Sequence, residues 1–247
     1  MSFLGREKII KRIPEIYDLC IKYLGIDISK ESIPVVPSVH FFMGGIAVKN
    51  DHETNIKGLY AVGECASIYH GANRLGGNSL LAACHSGRVA AGAIAGREET
   101  GVDAAPDFEE ELKAIEKELA RNDQSRSLFP VKYIRDMLAK NMNNDLGIVR
   151  SEEALAKGIE DIEYYLGIVD KIRFDSSESP YYTYSLKPIL ILARATLTCA
   201  LERRETRGAH IRSDYPDTSE ELASATIISY DNGDYKVTYD REGRYED

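Results

Sequence analysis

The sequence predicts an α/β segment joined to an all-α domain and followed by a tail with a β-hairpin. Three observations predict it. Helix-period and strand-period patterns alternate over residues 1–97, helix-period patterns fill 98–206, and in 207–247 Asn232–Gly233 stands between two β-rich runs. Apolar residues three and four apart mark a buried helix stripe, short β-branched runs mark strands, and Asn-Gly suits a two-residue hairpin turn.

In the first region, "IPEIYDLCIKYLG" places Pro14 in the first turn of a helix, where its missing N–H is not needed, and Gly25 at the stop. "IPVVPSVHFFMGGIAV" is extended, and its prolines confine it to an edge or a loop. "GLYAVGE" (58–64) reads as a short buried strand ending on Gly63, and "NSLLAACHSGRVAAGAIAG" (78–96) as a helix whose Ala and Gly content permits close packing on a sheet.

The second region is helical throughout. "DFEEELKAIEKELAR" opens with Asp107 and Glu110 in capping-box spacing, and Phe108, Leu112, Ile115 and Leu119 share one face. "SEEALAKGIEDIEYYLGIV" sets Leu155, Ile159, Ile162, Leu166 and Val169 on another. The acidic clusters read as the solvated faces of these helices. The tail ends in "TIISYDNGDYKVTYD", the hairpin.

With 247 residues the chain can bury a substantial core, and 43% hydrophobic with 29% charged residues is ordinary for a globular protein. A net charge of −9 with no basic run argues against nucleic acid as a partner. Cys20, Cys65, Cys84 and Cys199 are far apart, so metal knuckles, redox dithiols and iron–sulphur clusters built from this chain alone are not expected, and the thiols read as reduced in a cytoplasmic protein. The most apolar run, from Leu186, contains Lys187, Pro188 and Arg194; direct membrane insertion is not expected, and any membrane contact would come through a partner.

The chemistry concentrates in residues 58–88. A strand ending in Gly63–Glu64 lets backbone approach a polyol while the carboxylate accepts from its hydroxyls, although many buried strands end this way for structural reasons alone. "HGANRLGGNSLL" then sets Arg74 four residues before a helix that opens at Asn78, Ser79 and Leu80. Helix N-terminal amides, the helix dipole and a guanidinium fork together make an anion site. That anion could be a phosphate, a substrate carboxylate or a reduced cofactor ring.

"GLYAVGECASIYHGANRLGGNSLL" resembles the flavin-binding segment of the fumarate reductase and succinate dehydrogenase flavoprotein subunits, whose relatives include L-aspartate oxidase. "IPVVPSVHFFMGGIAV" resembles the family's Pro-x-x-His-aromatic-x-Met-Gly-Gly stretch, "NDLGIVRSEEAL" a turn in its helical domain, and "RRETRGAHIRSDYPDTSEE" its Glu-(Ser/Thr)-Arg-Gly-x-His stretch. These landmarks fall in family order. The resemblance implies FAD as cofactor and a C4 dicarboxylate, fumarate or succinate, as substrate. It implies that His40 and Arg74 bind the substrate's carboxylates and that Glu64 hydrogen-bonds FAD. It further implies that the helix opening at Asn78, Ser79 and Leu80 faces the flavin's pyrimidine edge, and that the peptide at Phe41 lies beside the ring. His70 is placed to shape the site; His52, His85 and His210 read as structural.

No Gly-x-Gly-x-x-Gly occurs to cradle a pyrophosphate. In the family that loop, and a cap carrying the proton-donating arginine, precede the part matched here. The expectation is therefore a C-terminal portion: residues 1–97 the remainder of the FAD-binding domain, 98–206 the helical domain, 207–247 the tail. It would need an N-terminal flavoprotein half, would be inactive alone, and could dock an iron–sulphur subunit. The alternatives are the matching part of an L-aspartate oxidase and a non-catalytic helical interaction protein.

Overall fold

A computed structural model describes residues 2–97, 108–123, 129–172, 180–231 and 233–240. The expected cap Asp107 and the turn residue Asn232 lie outside these, as does the side chain of Leu119. The chain divides into two compact units, Met1–Phe41 and Phe42–Asp247.

The first unit is built on helices α1 (Arg6–Arg12) and α2 (Pro14–Leu19), the second running into a wider π-type turn over Cys20–Leu24. Pro14 stands in the first turn, and Gly25 ends the run at φ 70°, a left-handed conformation that costs glycine little. Ile9, Tyr17, Cys20 and Ile28 form its core, with Leu4, Ile13, Ile26 and Ile33 packed against them. Residues 33–41 then run without regular structure.

The second unit begins with paired extended segments. Ile46 bridges Ala66 in parallel and Glu53 bridges Tyr60 in antiparallel sense, over a small core of Val48, Ala61 and Ala66. The strand expected at 58–64 is thus reduced to a single bridge. Gly63, at φ 72°, turns the chain into a 3-10 turn (Gly63–Cys65) before a ladder can extend. Helix α3 (Asn78–Ala95) packs on that turn, and Arg97 beyond it reaches Glu53 at 3.1 Å and the Tyr60 hydroxyl at 3.1 Å.

Helix α4 (Phe108–Asp123) leaves Phe108 and Leu112 of its expected apolar stripe exposed and Ile115 half-buried. The main core lies between α5 (Val131–Asp145), α6 (Glu152–Ile168) and α8 (Leu186–Glu202), with the short α7 (Pro180–Tyr184) leading into the last. Leu155, Ile162 and Val169 are buried there, and Ile159 and Leu166 pack beside them, as the spacing requires. Ser151 caps α6 by accepting the Ala154 N–H at 3.3 Å. At Gly158 a Cβ would come within 2.9 Å of the Asp145 Cβ and 3.1 Å of Leu197 Cδ2, so the missing side chain lets α6 approach both neighbours. By length and composition the run Tyr181–Glu202 could cross a membrane, yet Leu186, Leu190, Ala193, Leu197 and Ala200 on it sit in the centre of this core.

Both strand pairs of the tail lie against the bundle. Strands β1 (Val149–Arg150) and β2 (Ile211–Arg212) pair in parallel, joining the tail to the α5–α6 turn. Strands β3 (Ala225–Asp231) and β4 (Asp234–Asp240) form the expected antiparallel hairpin, whose Tyr235 and Tyr239 hydroxyls donate to the Ile191 and Glu202 carbonyls of α8, each at 3.2 Å.

Candidate functional site

Glu64 owes its place to glycines. Gly63 supplies the left-handed turn, and its N–H donates to Ser86 Oγ of α3 at 2.8 Å. The buried Ser86 hydroxyl in turn donates to the Ala83 carbonyl at 2.9 Å. Gly45 is needed opposite, because a Cβ there would sit 2.3 Å from the Cys65 carbonyl oxygen. The exposed Glu64 carboxylate accepts the Phe42 N–H at 2.9 Å, which fixes its direction and leaves acceptor capacity.

Arg74 is half-buried in the loop that leads to α3, its Nη1 donating to the Leu75 carbonyl at 3.4 Å. Gly77 precedes the helix at φ 86°, and among the described residues no side chain caps this end. The amides of the first turn, at Asn78, Ser79 and Leu80, therefore gather helix-end donor character, although the Asn78 N–H itself turns back to Leu75. Leu80 and Leu81 are 77% and 69% exposed, an apolar surface beside the helix start. One continuous loop-and-helix thus carries a guanidinium, a helix dipole and apolar cover, and Ser86 clips it to the turn holding Glu64.

His40 and Phe41 belong to the first unit, His40 exposed and Phe41 half-buried. Two further groups surround His52 and His210, which the sequence reads as structural. The buried His52 adopts φ 69°, donates from Nδ1 to the Ala61 carbonyl at 2.9 Å and accepts at Nε2 from the Tyr69 hydroxyl at 2.5 Å. The Tyr69 ring, whose hydroxyl burial makes harder to ionise, meets His70 and His85 edge-on.

The other group is a network of charges in the tail. Glu205, fully buried, accepts from Arg203, from Arg207 Nε at 2.9 Å and from the Ser219 N–H at 2.8 Å. Burial alone would raise its pKa, but these donors outweigh it and hold the carboxyl below its ordinary value. The buried Arg212 grips Asp214 with two bonds of 2.8 Å and holds that carboxyl well below the usual range. His210 bridges Arg150 Nη1 at 2.8 Å and the Arg203 carbonyl at 3.0 Å. A guanidinium only donates, so Nδ1 accepts and Nε2 carries the proton. Burial first, then the neighbouring arginines, keep this imidazole neutral below its ordinary pKa. The sequence signal was the charge density of "ERRETRGAHIRSD", which does not reveal who pairs with whom.

Among the described residues no three His, Cys, Asp or Glu side chains are grouped to hold a metal ion. All four cysteines are free thiols. The arrangement is suited to an anionic, hydroxyl-bearing, partly flat ligand.

Comparison with known proteins agrees with that chemistry. A family model described as "FAD binding domain" matches residues 2–80, and one described as "Fumarate reductase flavoprotein C-term" matches residues 135–244. The chain belongs to the fumarate reductase and succinate dehydrogenase flavoprotein family. It is 36% identical to the fumarate reductase flavoprotein subunit of Haemophilus influenzae over 97% of this chain and 41% of that protein. It is 34% identical to the L-aspartate oxidase of Pyrococcus furiosus over 92% of this chain and 41% of that protein. A solved quinol-fumarate reductase with menaquinol molecules matches 96% of this chain and 43% of its own at TM-score 0.86 and 32% identity. The chain therefore spans about two fifths of the length of the curated relatives it matches. For this family member, the expected α/β remnant, helical domain and hairpin tail are the observed architecture.

Proposed function

We propose that this chain is the C-terminal portion of an FAD-dependent oxidoreductase subunit that acts on a C4 dicarboxylate, fumarate or succinate. The observation that carries the reading is the single loop-and-helix bearing Arg74 and the uncapped start of α3, clipped through Ser86 to the Glu64 turn. The chain's residues suit FAD. Added Cβ atoms at Gly76 and Gly77 meet nothing within 4 Å, so backbone is open to approach, and the Glu64 carboxylate is exposed and directed. Bound FAD would supply the two-electron chemistry, a hydride exchanged with the dicarboxylate's central carbons.

The protein's own residues bind and orient. The amides at Ser79 and Leu80, with the helix dipole, favour negative charge at the ring's pyrimidine edge. Glu64 accepts from ribityl hydroxyls. Arg74 holds one substrate carboxylate with two parallel bonds, a geometry lysine cannot reproduce. His40 takes the other carboxylate, and the peptide at Phe41 lies along the ring; both assignments rest on the sequence motif alone. Leu80 and Leu81 exclude water from the ring. In this reading residues 1–97 complete a flavin domain, 98–206 form the helical domain and 207–247 the tail. An N-terminal flavoprotein half supplies the pyrophosphate loop and the proton-donating arginine. An iron–sulphur subunit docks on the assembled protein, which lies on the cytoplasmic side of a membrane through its partners. The likeness to an L-aspartate oxidase at 34% identity supports aspartate as the second reading.

The test is reassembly with an N-terminal flavoprotein half, followed by fumarate and L-aspartate assays on wild type and Arg74→Lys. Wild type should turn over fumarate in preference to aspartate. The lysine variant should keep its FAD and lose roughly 2.7–4 kcal/mol of transition-state stabilisation, the scale of one preorganised donor. Preferential aspartate oxidation would select the second reading. Flavin release with unchanged substrate affinity would remove Arg74 from the substrate site.

A further inference from the structure

The loop that carries Arg74 is made of small residues, and Gly71, Ala72, Asn73, Gly76 and Gly77 are all exposed. A glycine-rich exposed segment has much conformational freedom to lose, so something must hold it if its guanidinium is to stand in one place. Two residues before Arg74, the Ala72 carbonyl accepts the Ala209 N–H at 3.0 Å. Gly208 lies against the same peptide at φ 58°: an added Cβ would be 2.3 Å from the Ala72 oxygen and 2.5 Å from its carbonyl carbon. No side chain fits between these two backbones.

The tail segment making this contact is itself braced on every side. Arg207 and His210 exchange both backbone bonds, at 2.8 and 3.0 Å, which closes Gly208–Ala209 as a tight turn. Arg207 is tied to Glu205 and to the Ser219 carbonyl, the latter at 2.8 Å. His210 is tied to Arg150 at the α5–α6 turn and to the Arg203 carbonyl at the end of α8. The turn is therefore referenced to the helical core through two elements, and it meets the loop at Ala72, backbone against backbone.

We infer that the turn Thr206–His210 is the bracket that positions the Arg74 loop, with Gly208 and His210 as positioning residues. The inference deepens the dicarboxylate reading of Arg74 and rests on it. The bracket touches no substrate. It sets where the guanidinium stands, and it does so from the tail, more than a hundred residues away in the chain. A misplacement of about 1 Å at a substrate-holding group can cost about 100-fold in rate.

The experiment uses Gly208→Ala, both in the chain alone and in the reassembled flavoprotein. Hydrogen–deuterium exchange of the Ala209 amide, the donor of the bond to Ala72, read from overlapping peptides across 205–212, should quicken roughly fivefold to tenfold, the factor one lost hydrogen bond carries, while peptides from α6 keep wild-type exchange. In the assembled protein kcat/KM for the dicarboxylate should fall about 100-fold. FAD content and the reaction of reduced flavin with oxygen should stay unchanged, a split that general loosening of the fold would not give. Folded Gly208→Ala with wild-type exchange at Ala209 and wild-type kcat/KM would overturn the inference. Should that variant fail to fold, His210→Leu and His210→Gln decide. Leucine removes both tethers and should reproduce the losses, whereas glutamine keeps an acceptor and a donor and should restore most of them. Equal behaviour of the two would overturn the inference. If the wild-type assembly turns over no dicarboxylate, the reading of Arg74 fails, and the exchange data still decide whether the turn holds the loop.

Discussion

Glu205→Ala is expected to be among the most damaging single changes in the tail. The carboxylate is fully buried and accepts from Arg203, from Arg207 at 2.9 Å and from the Ser219 amide at 2.8 Å. Removing it leaves two guanidinium groups facing each other and one amide without its acceptor. Breaking a buried ion pair from one side costs about 3–5 kcal/mol. The Arg203 and Arg207 side chains are 14% and 28% exposed, so water relieves part of that, and the lower end applies. At about 2–4 °C per kcal/mol for a chain of this size, a loss of about 3 kcal/mol lowers the melting temperature by roughly 6–12 °C. Glu205→Gln keeps an acceptor for Ser219 and should lose about half as much, the charge-assisted part of the interaction. Thermal and urea unfolding of the purified chain, followed by far-UV circular dichroism, measures both. An alanine variant within about 0.5 kcal/mol of wild type, the range of an ordinary surface substitution, would refute the reasoning.

Two further outcomes follow from the same structure. His210 has a folded-state pKa below its ordinary 6.5, so the unfolded chain binds its proton first as pH falls. Its contribution to stability should be complete above that value and decline as pH drops below it toward the folded-state pKa; His210→Gln should flatten this slope in urea unfolding curves between pH 7.5 and 5, and an unchanged slope would exclude His210 as its source. Burial pushes the Cys199 thiol up to about 11 and Cys20 is buried, whereas Cys65 and Cys84 are exposed. A thiol reagent near neutral pH should label Cys65 and Cys84 in the folded chain and reach the other two only on unfolding, as peptide mapping would report; equal labelling of Cys199 and Cys65 would count against its buried setting.

Local chemistry made much of this fold legible. The hairpin, the α6 stripe and the Pro14 and Gly25 boundaries all follow from contacts within a few residues of each element. The segment 58–64 was misjudged because a strand exists only with partners, and its pairing stops at Tyr60 before Gly63 bends the backbone away. The left-handed backbone of His52 and the seat of Glu205 could not be seen in advance either. The first closes a turn in which the His52 N–H donates to the Lys49 carbonyl at 2.9 Å, its ring held by a carbonyl and a hydroxyl 9 and 17 residues away; the second is set by arginines beside it together with an amide 14 residues on. At the candidate site, Arg74 and the α3 start were readable as an anion-binding pattern. The contact of Gly208 with Ala72 was not, since it joins two backbones that composition leaves blank.

Ser86 has a mechanical consequence. Its hydroxyl is fastened at both ends, receiving the Gly63 amide and giving to Ala83 one turn back, with no exposure to solvent. The turn that holds Glu64 is therefore fastened directly to α3 through a side chain that water cannot reach. If the Thr206–His210 turn positions the loop ahead of the helix, as inferred above, substitution in that turn retunes the loop without disturbing the junction. On the proposed reading, relatives that share that junction can then diverge in the acid they accept by changes that never touch it.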